Sequence, residues 1–193
     1  MTTMTAEQAL SELLSGNLRF IGGQYADGRR NAARRVEVAA GQHPCAVVLG
    51  CSDSRVPPEV VFDQGLGDLF VVRQAGHTVG GLAMGSIIYA VEHLHVPLIV
   101  VLGHSKCGAI AAAAEGHNVT GSHRKVIEAL KPSVDQARAH GGDLLDAAVR
   151  VHIQRTVALL KADAVLGPLE KGGMLKITGA RYDLETGVVT LVP

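Results

Sequence analysis

Two short clusters of cysteine, histidine and charged residues have the side chains best suited to chemistry. Cys51 begins the first cluster, and His104 and Cys107 form the second. Zinc binds cysteine thiolates and histidine nitrogens in tetrahedral sites, and catalytic zinc sites leave one position open for water. These three residues therefore predict a zinc site. The competing interpretation is that both cysteines are small buried hydrophobic residues and that His104 only starts a helix.

An aspartate and an arginine follow the first cysteine at alternate positions. From two residues after Cys51, the carboxylate of Asp53 can reach a metal or its bound water, and Arg55 can hold that carboxylate in a bidentate pair. An N-terminal helix cap with a surface ion pair, which contributes little to stability, explains the same spacing. The spacing alone leaves both interpretations open.

Apolar runs of strand length precede both clusters and must position them. Such runs occupy residues 45–50, 69–72 and 98–102, with a weaker run at 174–178 and a final edge strand at 188–192. Apolar periodicity predicts helices over residues 6–20, 82–95, 109–115, 126–140 and 144–161. The first helix follows a capping-box pattern at Thr5 and Gln8, and Pro132 should start a new helix or kink the fourth. Residues 22–35 form a polar, arginine-rich connection.

Strands that alternate with helices favour an α/β fold. We expect one domain over residues 1–193, with an extended N-terminal helix. Its central sheet has four mostly parallel strands, an antiparallel edge strand and flanking helices. Active residues gather beyond the carboxyl ends of strands in such sheets. The two clusters should therefore lie side by side.

The composition argues against several classes of protein. Basic and acidic residues number 18 each, and there is no Trp, so neither a basic nor an aromatic surface for nucleic acid is expected. The first 14 residues do not resemble a secretory signal, and no apolar run approaches the ~20 residues that cross a membrane. We expect a soluble cytoplasmic protein that binds neither nucleic acid nor membrane. Its three cysteines are too few for a disulfide framework.

Several stretches of the sequence resemble the β-class carbonic anhydrases. The family's first signature is similar to CSDSRVPPE at residues 51–59, and the segment after it is similar to DLFVVRQAGHTV at 68–79. The second signature is similar to GSIIYAVEHLHVPLIVVLGHSKCGAI at 85–110, and the N-terminal helix to NLRF at 17–20. The resemblance covers nearly the whole chain and is densest over residues 42–113.

The resemblance implies a zinc enzyme that reversibly hydrates CO₂ to bicarbonate and a proton by a zinc-bound hydroxide, with one zinc per chain. It implies zinc ligands at Cys51, His104 and Cys107, and a catalytic dyad in which Arg55 holds Asp53. It also implies a dimer or tetramer, with Tyr89 offered across the dimer interface. Substrate-pocket positions match Gln42, Phe70 and Tyr89, and Ala75 stands where some members have a larger aliphatic residue.

Some family members close the site by moving the dyad aspartate onto zinc as a fourth ligand, and Asp53 would be that ligand here. The members that favour closure have a Trp three residues before the first cysteine, where this chain has Val48. We therefore expect Asp53 to pair with Arg55 and the site to be open at neutral pH. His77 and His43 are possible proton relays, although surface histidines are common. Cys45 is expected only to pack.

Three alternative functions are compatible with parts of the sequence. Relatives with altered pockets hydrolyse carbon disulfide or carbonyl sulfide, and the sequence does not reveal the shape of the access channel. A non-catalytic zinc-binding domain is a second alternative, but it would not need the dyad. A nucleotide-binding domain is disfavoured because the glycine-rich residues 76–81 match neither a dinucleotide-binding nor a P-loop pattern.

Overall fold

Five strands form one sheet in the computed structural model, which describes residues 4–26, 28–116, 119–139 and 142–193. The strands are β1 Ala46–Cys51, β2 Leu69–Gln74, β3 Leu98–His104, β4 Lys176–Tyr182 and β5 Val189–Val192. Their order in the sheet is β2-β1-β3-β4-β5. β1 to β4 are parallel, and β5 pairs with β4 in the antiparallel direction. The predicted sheet of four parallel strands with an antiparallel edge strand is confirmed.

Helices cover both faces of this sheet. They are α1 Ala6–Ile21, α2 Ala32–Glu37, α3 Pro58–Val61, α4 Gly81–Leu94, α5 Gly108–Glu115, α6 Gly121–Arg138, α7 Leu144–Lys161 and α8 Leu166–Lys171. The predicted capping box starts α1, where Thr5 and Gln8 each accept a hydrogen bond from the other's backbone N–H. Among the described residues, no helix combines the length and the apolar character needed to span a bilayer.

The central strands β1 and β3 are buried along their whole length. Successive side chains of a strand point to opposite faces, so each strand contributes to two cores. Val47 and Val101 join the core that includes residues of α4 to α7. Val48 and Val100 join the core that includes residues of α1 and α3. Burial on both faces explains why these strands have continuous apolar sequences rather than alternating ones.

The structure differs from the prediction at several boundaries, among them the start of α6 at Gly121 rather than at residue 126. Residues 22–35 are not all connection, because Asn31 caps α2 by accepting a hydrogen bond from the Arg34 backbone N–H. No new helix starts at Pro132, because α6 continues through it with buried Leu130 and Val134 on either side. The predicted end of that helix at His140 lies outside the described residues. β4 begins two residues later than predicted, in register with β3 from the Leu98–Lys176 pair onwards.

Candidate metal centre

Cys51, His104 and Cys107 converge at the carboxyl ends of two neighbouring strands. Cys51 is the last residue of β1 and His104 the last residue of β3. These strands are parallel and adjacent, so both side chains reach the same edge of the sheet. The sulfur atoms and a histidine nitrogen all lie within 4.8 Å of one another, and all three residues are buried. The predicted side-by-side arrangement of the two clusters is confirmed.

A tight turn brings Cys107 back towards His104. Lys106 has a positive φ of 53°, and Cys107 then occupies the N-cap position of α5. The Ser105 backbone N–H donates to the Tyr182 carbonyl at the end of β4, and the Ser105 hydroxyl accepts from the Leu184 N–H. These bonds anchor the turn to the neighbouring strand and fix the spacing of His104 and Cys107.

The imidazole of His104 is oriented for a metal. Its Nδ1 lies 2.8 Å from the Ser105 carbonyl oxygen, and only a protonated Nδ1 can donate to that oxygen. The lone pair is therefore on Nε2, which is buried and has no hydrogen-bond partner among the described residues. A histidine that binds a metal through one nitrogen usually donates from the other in this way. The unpaired Nε2 is thus explained by a metal ligand role.

A hydrogen bond joins the two cysteine sulfurs, with the Cys107 thiol as the donor. The pKa of Cys51 is lowered to about 4, first by a hydrogen bond from the Cys107 thiol and also by the Gly76 N–H, which lies 3.3 Å from Sγ. The pKa of Cys107 is raised, because its proton is held by Cys51 and because it is buried. A divalent cation replaces such a proton and neutralises both thiolates, so the donor set fits zinc.

Asp53 and Arg55 form a bidentate ion pair beside the three ligand residues. Arg55 Nε lies 2.9 Å from Asp53 Oδ1, and Nη2 lies 2.7 Å from Oδ2. The hydrogen bonds from Arg55 are the main reason that the pKa of Asp53 is lowered to about 2. Asp53 Oδ2 is 3.9 Å from His104 Nε2. An ionised carboxylate therefore faces the space that the three ligand atoms enclose.

Arg73 supports this site and was missed in the sequence analysis. Its Nε donates to the Cys51 carbonyl at 2.9 Å, and its Nη2 donates to the Asp53 carbonyl at 2.6 Å. Arg73 thus fixes the backbone between the first ligand and the dyad. The signal was present in the sequence, because a single arginine follows the apolar run of β2.

The four predicted pocket residues are not all at the metal centre of their own chain. Ala75 is, since it lies between Gln74, the register partner of Cys51, and Gly76. Phe70 pairs with Val47, four residues before Cys51, which is about 13 Å along a strand. The Tyr89 ring contacts Phe70 at a centroid distance of 6.3 Å. Gln42 is exposed and precedes β1.

The candidate proton relays lie in two different environments. His77 is completely buried, and burial lowers its pKa well below the ordinary value. It is not a surface histidine, and a neutral buried ring is poorly suited to pass protons to bulk solvent. His43 is exposed and lines a cavity of about 740 Å³ with Pro44 and Cys45, the residues that lead into β1. Cys45 is partly buried and packs against the core, as expected.

The fold and the site together define a class of protein. An α/β sheet carries a buried Cys₂His cluster at its carboxyl edge, with an ionised aspartate directed at the cluster by an arginine. Three protein ligands with a free fourth side are typical of catalytic rather than structural zinc sites. The chain is therefore built as a zinc enzyme.

Comparison with known proteins identifies the family. A family model described as carbonic anhydrase matches residues 46–189. Carbonic anhydrase 2 from Mycobacterium tuberculosis is 44% identical over 188 residues, which cover 95% of this chain and 91% of that protein. The chain belongs to the carbonic anhydrase family.

Solved structures place it with the β class. The β-carbonic anhydrase of Coccomyxa, determined in complex with acetazolamide, has a TM-score of 0.76 and 30% identity, covering 95% of this chain and 86% of that one. A tetrameric β-carbonic anhydrase from Sordaria macrospora has a TM-score of 0.76 and 25% identity, covering 95% and 96%. The predicted family and fold are confirmed.

Proposed function

We propose that this protein is a zinc-dependent β-class carbonic anhydrase that interconverts CO₂ and bicarbonate. One zinc ion per chain would be held by Cys51, His104 and Cys107. The observation that supports this best is the unpaired, buried Nε2 of His104, which meets two cysteine sulfurs beside an ionised carboxylate. When bound, zinc supplies Lewis-acid chemistry that makes water nucleophilic near neutral pH.

Asp53 and Arg55 would be the catalytic dyad. Arg55 keeps the Asp53 carboxylate ionised, so Oδ2 is a hydrogen-bond acceptor at neutral pH. An acceptor at this position orients a hydroxyl group through its proton and disfavours ligands that have none. Because both oxygens of Asp53 are engaged by Arg55, we propose that the carboxylate stays off the metal at neutral pH and leaves the fourth position open.

The substrate pocket would be completed by a second copy of the chain. Ala75 contributes from the same chain as the metal ligands, whereas Phe70 lies about 13 Å away along its strand. Tyr89 is 48% exposed and Leu82 is 90% exposed on the same helix, which supports contact of α4 with another subunit. We therefore propose that Gln42, Phe70 and Tyr89 line the partner's site in a dimer. A tetramer, as in the Sordaria relative, would be built from two such dimers.

The cellular setting proposed is the cytoplasm, with carbon utilisation as the role. All three cysteines are free, and two of them must stay reduced to bind a metal. The cytosol keeps thiols reduced. The chain's 18 basic and 18 acidic residues give no basic excess for nucleic acid, and the partners that we propose are CO₂, bicarbonate and further copies of this chain.

Metal analysis together with stopped-flow CO₂ hydration tests this function. We expect about one zinc per chain and rapid hydration that is followed with a pH indicator. Bound zinc without CO₂ hydration would instead support a non-catalytic zinc-binding domain. Hydrolysis of carbon disulfide or carbonyl sulfide without CO₂ hydration would instead support the related zinc hydrolase. Absence of zinc from the freshly purified protein would contradict the proposed metal site.

A further inference from the structure

Two histidines that the proposed reaction does not use are buried directly behind the metal centre. His77 is the last residue of the turn that leaves β2, and His152 lies on α7. Their rings are in contact, with centroids 4.6 Å apart. His77 is 0% exposed and His152 is 6% exposed. A polar pair this deep in the protein requires hydrogen-bond partners to be stable.

Three of the four ring nitrogens of this pair have no close hydrogen-bond partner in the part of the chain that the structure describes. His152 Nδ1 lies 3.0 Å from the Ser133 hydroxyl of α6. Both nitrogens of His77 and Nε2 of His152 have no hydrogen-bond partner among the described residues. Burial lowers the pKa of both rings, that of His152 to about 4. Both rings are therefore neutral, and each has one N–H donor and one acceptor nitrogen.

The same histidines surround the backbone that supports the metal ligands. Gly76, next to His77, donates its N–H to Cys51 Sγ at 3.3 Å. The Gly76 carbonyl lies near the His152 ring and, as a hydrogen-bond acceptor, partly offsets the lowering of the His152 pKa by burial. On β3, a Cβ added to Gly103 would lie 3.1 Å from His77 Cε1, so the ring packs beside the residue that precedes His104.

The turn at Ala75–His77 must be held by its neighbours because its backbone has an unfavourable conformation. Gly76 has φ 63° and His77 has φ 44°. A positive φ is uncommon for a residue with a side chain and is maintained only when the surrounding structure holds it. Gly76 is also closely packed, since a Cβ there would lie 3.0 Å from two carbons of Leu130. The position of the Gly76 N–H thus depends on contacts with α6 and α7.

We propose that His77 and His152 are positioning residues that bind a buried water molecule and thereby hold the Gly76 N–H against the Cys51 sulfur. Water fits this place because a buried water typically makes about three hydrogen bonds to otherwise unpaired polar groups. His152 Nε2 and a nitrogen of His77 are two such groups, and the Gly76 carbonyl beside the His152 ring is a third acceptor. Ser133 fixes the His152 ring from the other side. The inference rests on the proposed metal site.

Zinc affinity of His152 variants tests the positioning role. His152→Leu removes both nitrogens, and we expect the zinc dissociation constant, measured by chelator competition, to rise about 10- to 100-fold. The thiolate-to-cobalt charge-transfer band of the cobalt-substituted protein should change as well. His152→Gln keeps a donor and an acceptor and should restore both properties. Unchanged zinc affinity in His152→Leu, or no recovery in His152→Gln, would overturn the proposal.

A matched control separates positioning from general stability. Leu160 is completely buried on the same helix α7, so Leu160→Ala should destabilise the protein without changing zinc affinity or the cobalt spectrum. An equal loss of zinc in Leu160→Ala would refute a specific role for His152. If the unsubstituted protein binds no zinc, the proposed function fails. If the unsubstituted protein binds zinc and His152→Leu binds it equally tightly, only the inference about His152 fails.

The water itself is tested on the unsubstituted protein, whether or not the leucine variant folds. A high-resolution crystal structure of the zinc-loaded protein should contain an ordered oxygen within hydrogen-bond distance of His152 Nε2 and His77. A dry contact between the two rings in that structure would overturn the proposal.

Discussion

Replacing Arg55 with alanine tests whether the arginine keeps Asp53 in its proposed catalytic position. Arg55 contacts both carboxylate oxygens of Asp53, at 2.9 and 2.7 Å. Asp53 Oδ2 is already 3.9 Å from His104 Nε2. A released carboxylate therefore needs only a small movement to bind a metal at the cluster. We expect Arg55→Ala to favour that closed, inactive arrangement.

The size of the effect follows from the pKa of Asp53, which is lowered from 3.8 to about 2. A shift of this size corresponds to about 2.5 kcal/mol in favour of the ionised carboxylate. Solvent screening reduces it to about 1–2 kcal/mol, which is about a 5- to 30-fold change in an equilibrium. Because the pKa is lowered, this preference is fully present at neutral pH and is lost only as the pH falls towards 2.

We therefore expect CO₂ hydration by Arg55→Ala at pH 7 to fall about 5- to 30-fold while zinc content stays at about one per chain. Stopped-flow hydration and metal analysis on the same sample measure both. Arg35→Ala removes an exposed arginine of α2 and serves as the control with the same change in charge. A hydration rate equal to that of the control would refute the role of the pair.

The structure of the zinc-loaded protein gives a second check of the same reasoning. In the unsubstituted protein near pH 7, Asp53 should remain paired with Arg55. An Asp53 oxygen at zinc-bonding distance, ~2.0–2.2 Å, would contradict the open site, as would steep inhibition by bicarbonate. In Arg55→Ala, that bond to zinc is the expected finding.

Three further substitutions give separate tests. His104→Ala should reduce zinc content to near zero, because the site loses one of three protein ligands; full occupancy by metal analysis would show that His104 is not a ligand. Cys45→Ala should keep its zinc and activity, because Cys45 packs against the core; loss of zinc from a folded variant would mean that the wrong thiolates were assigned. Asp63→Asn should lower the free energy of unfolding at pH 7 by about 3 kcal/mol, because the buried carboxylate pairs with Arg19 and Arg30 at 2.7 and 3.1 Å. Burial alone raises the pKa of Asp63, but the arginines and the Ala26 N–H lower it overall. Its contribution is therefore present above pH 3.8 and lost as the pH falls through the lower folded-state value, so urea unfolding curves of the two proteins should converge in acid; a constant difference would argue against the ion pairs.

The sequence by itself determined the sheet and the three residues that meet at the candidate metal centre. The continuous apolar runs that became β1 and β3 are local patterns, and burial on both faces is the physical reason for them. Cys51 and His104 directly follow those runs in the sequence. Because parallel strands end at one edge of a sheet, these positions were enough to predict that the two side chains lie close together. The residue types then selected zinc, since thiolate and imidazole are its usual protein ligands.

Helix boundaries depended on packing that the local sequence does not record. Pro132 has the same poor helical preference in any context, yet α6 continues through it because Leu130 and Val134 are buried on either side. Helix α2 was missed in a segment that is polar and exposed, where no apolar periodicity marks a helix.

Only the tertiary structure decided which polar groups are buried together. His77 and His152 are 75 residues apart, and nothing near either of them in the sequence indicates that their rings touch or that His77 is fully buried. The strand register likewise separates Phe70 from the cluster of its own chain, because it pairs Phe70 with Val47 rather than with Cys51. The physical reason is that such contacts depend on how distant elements pack, whereas a local pattern reports only which face of an element is apolar.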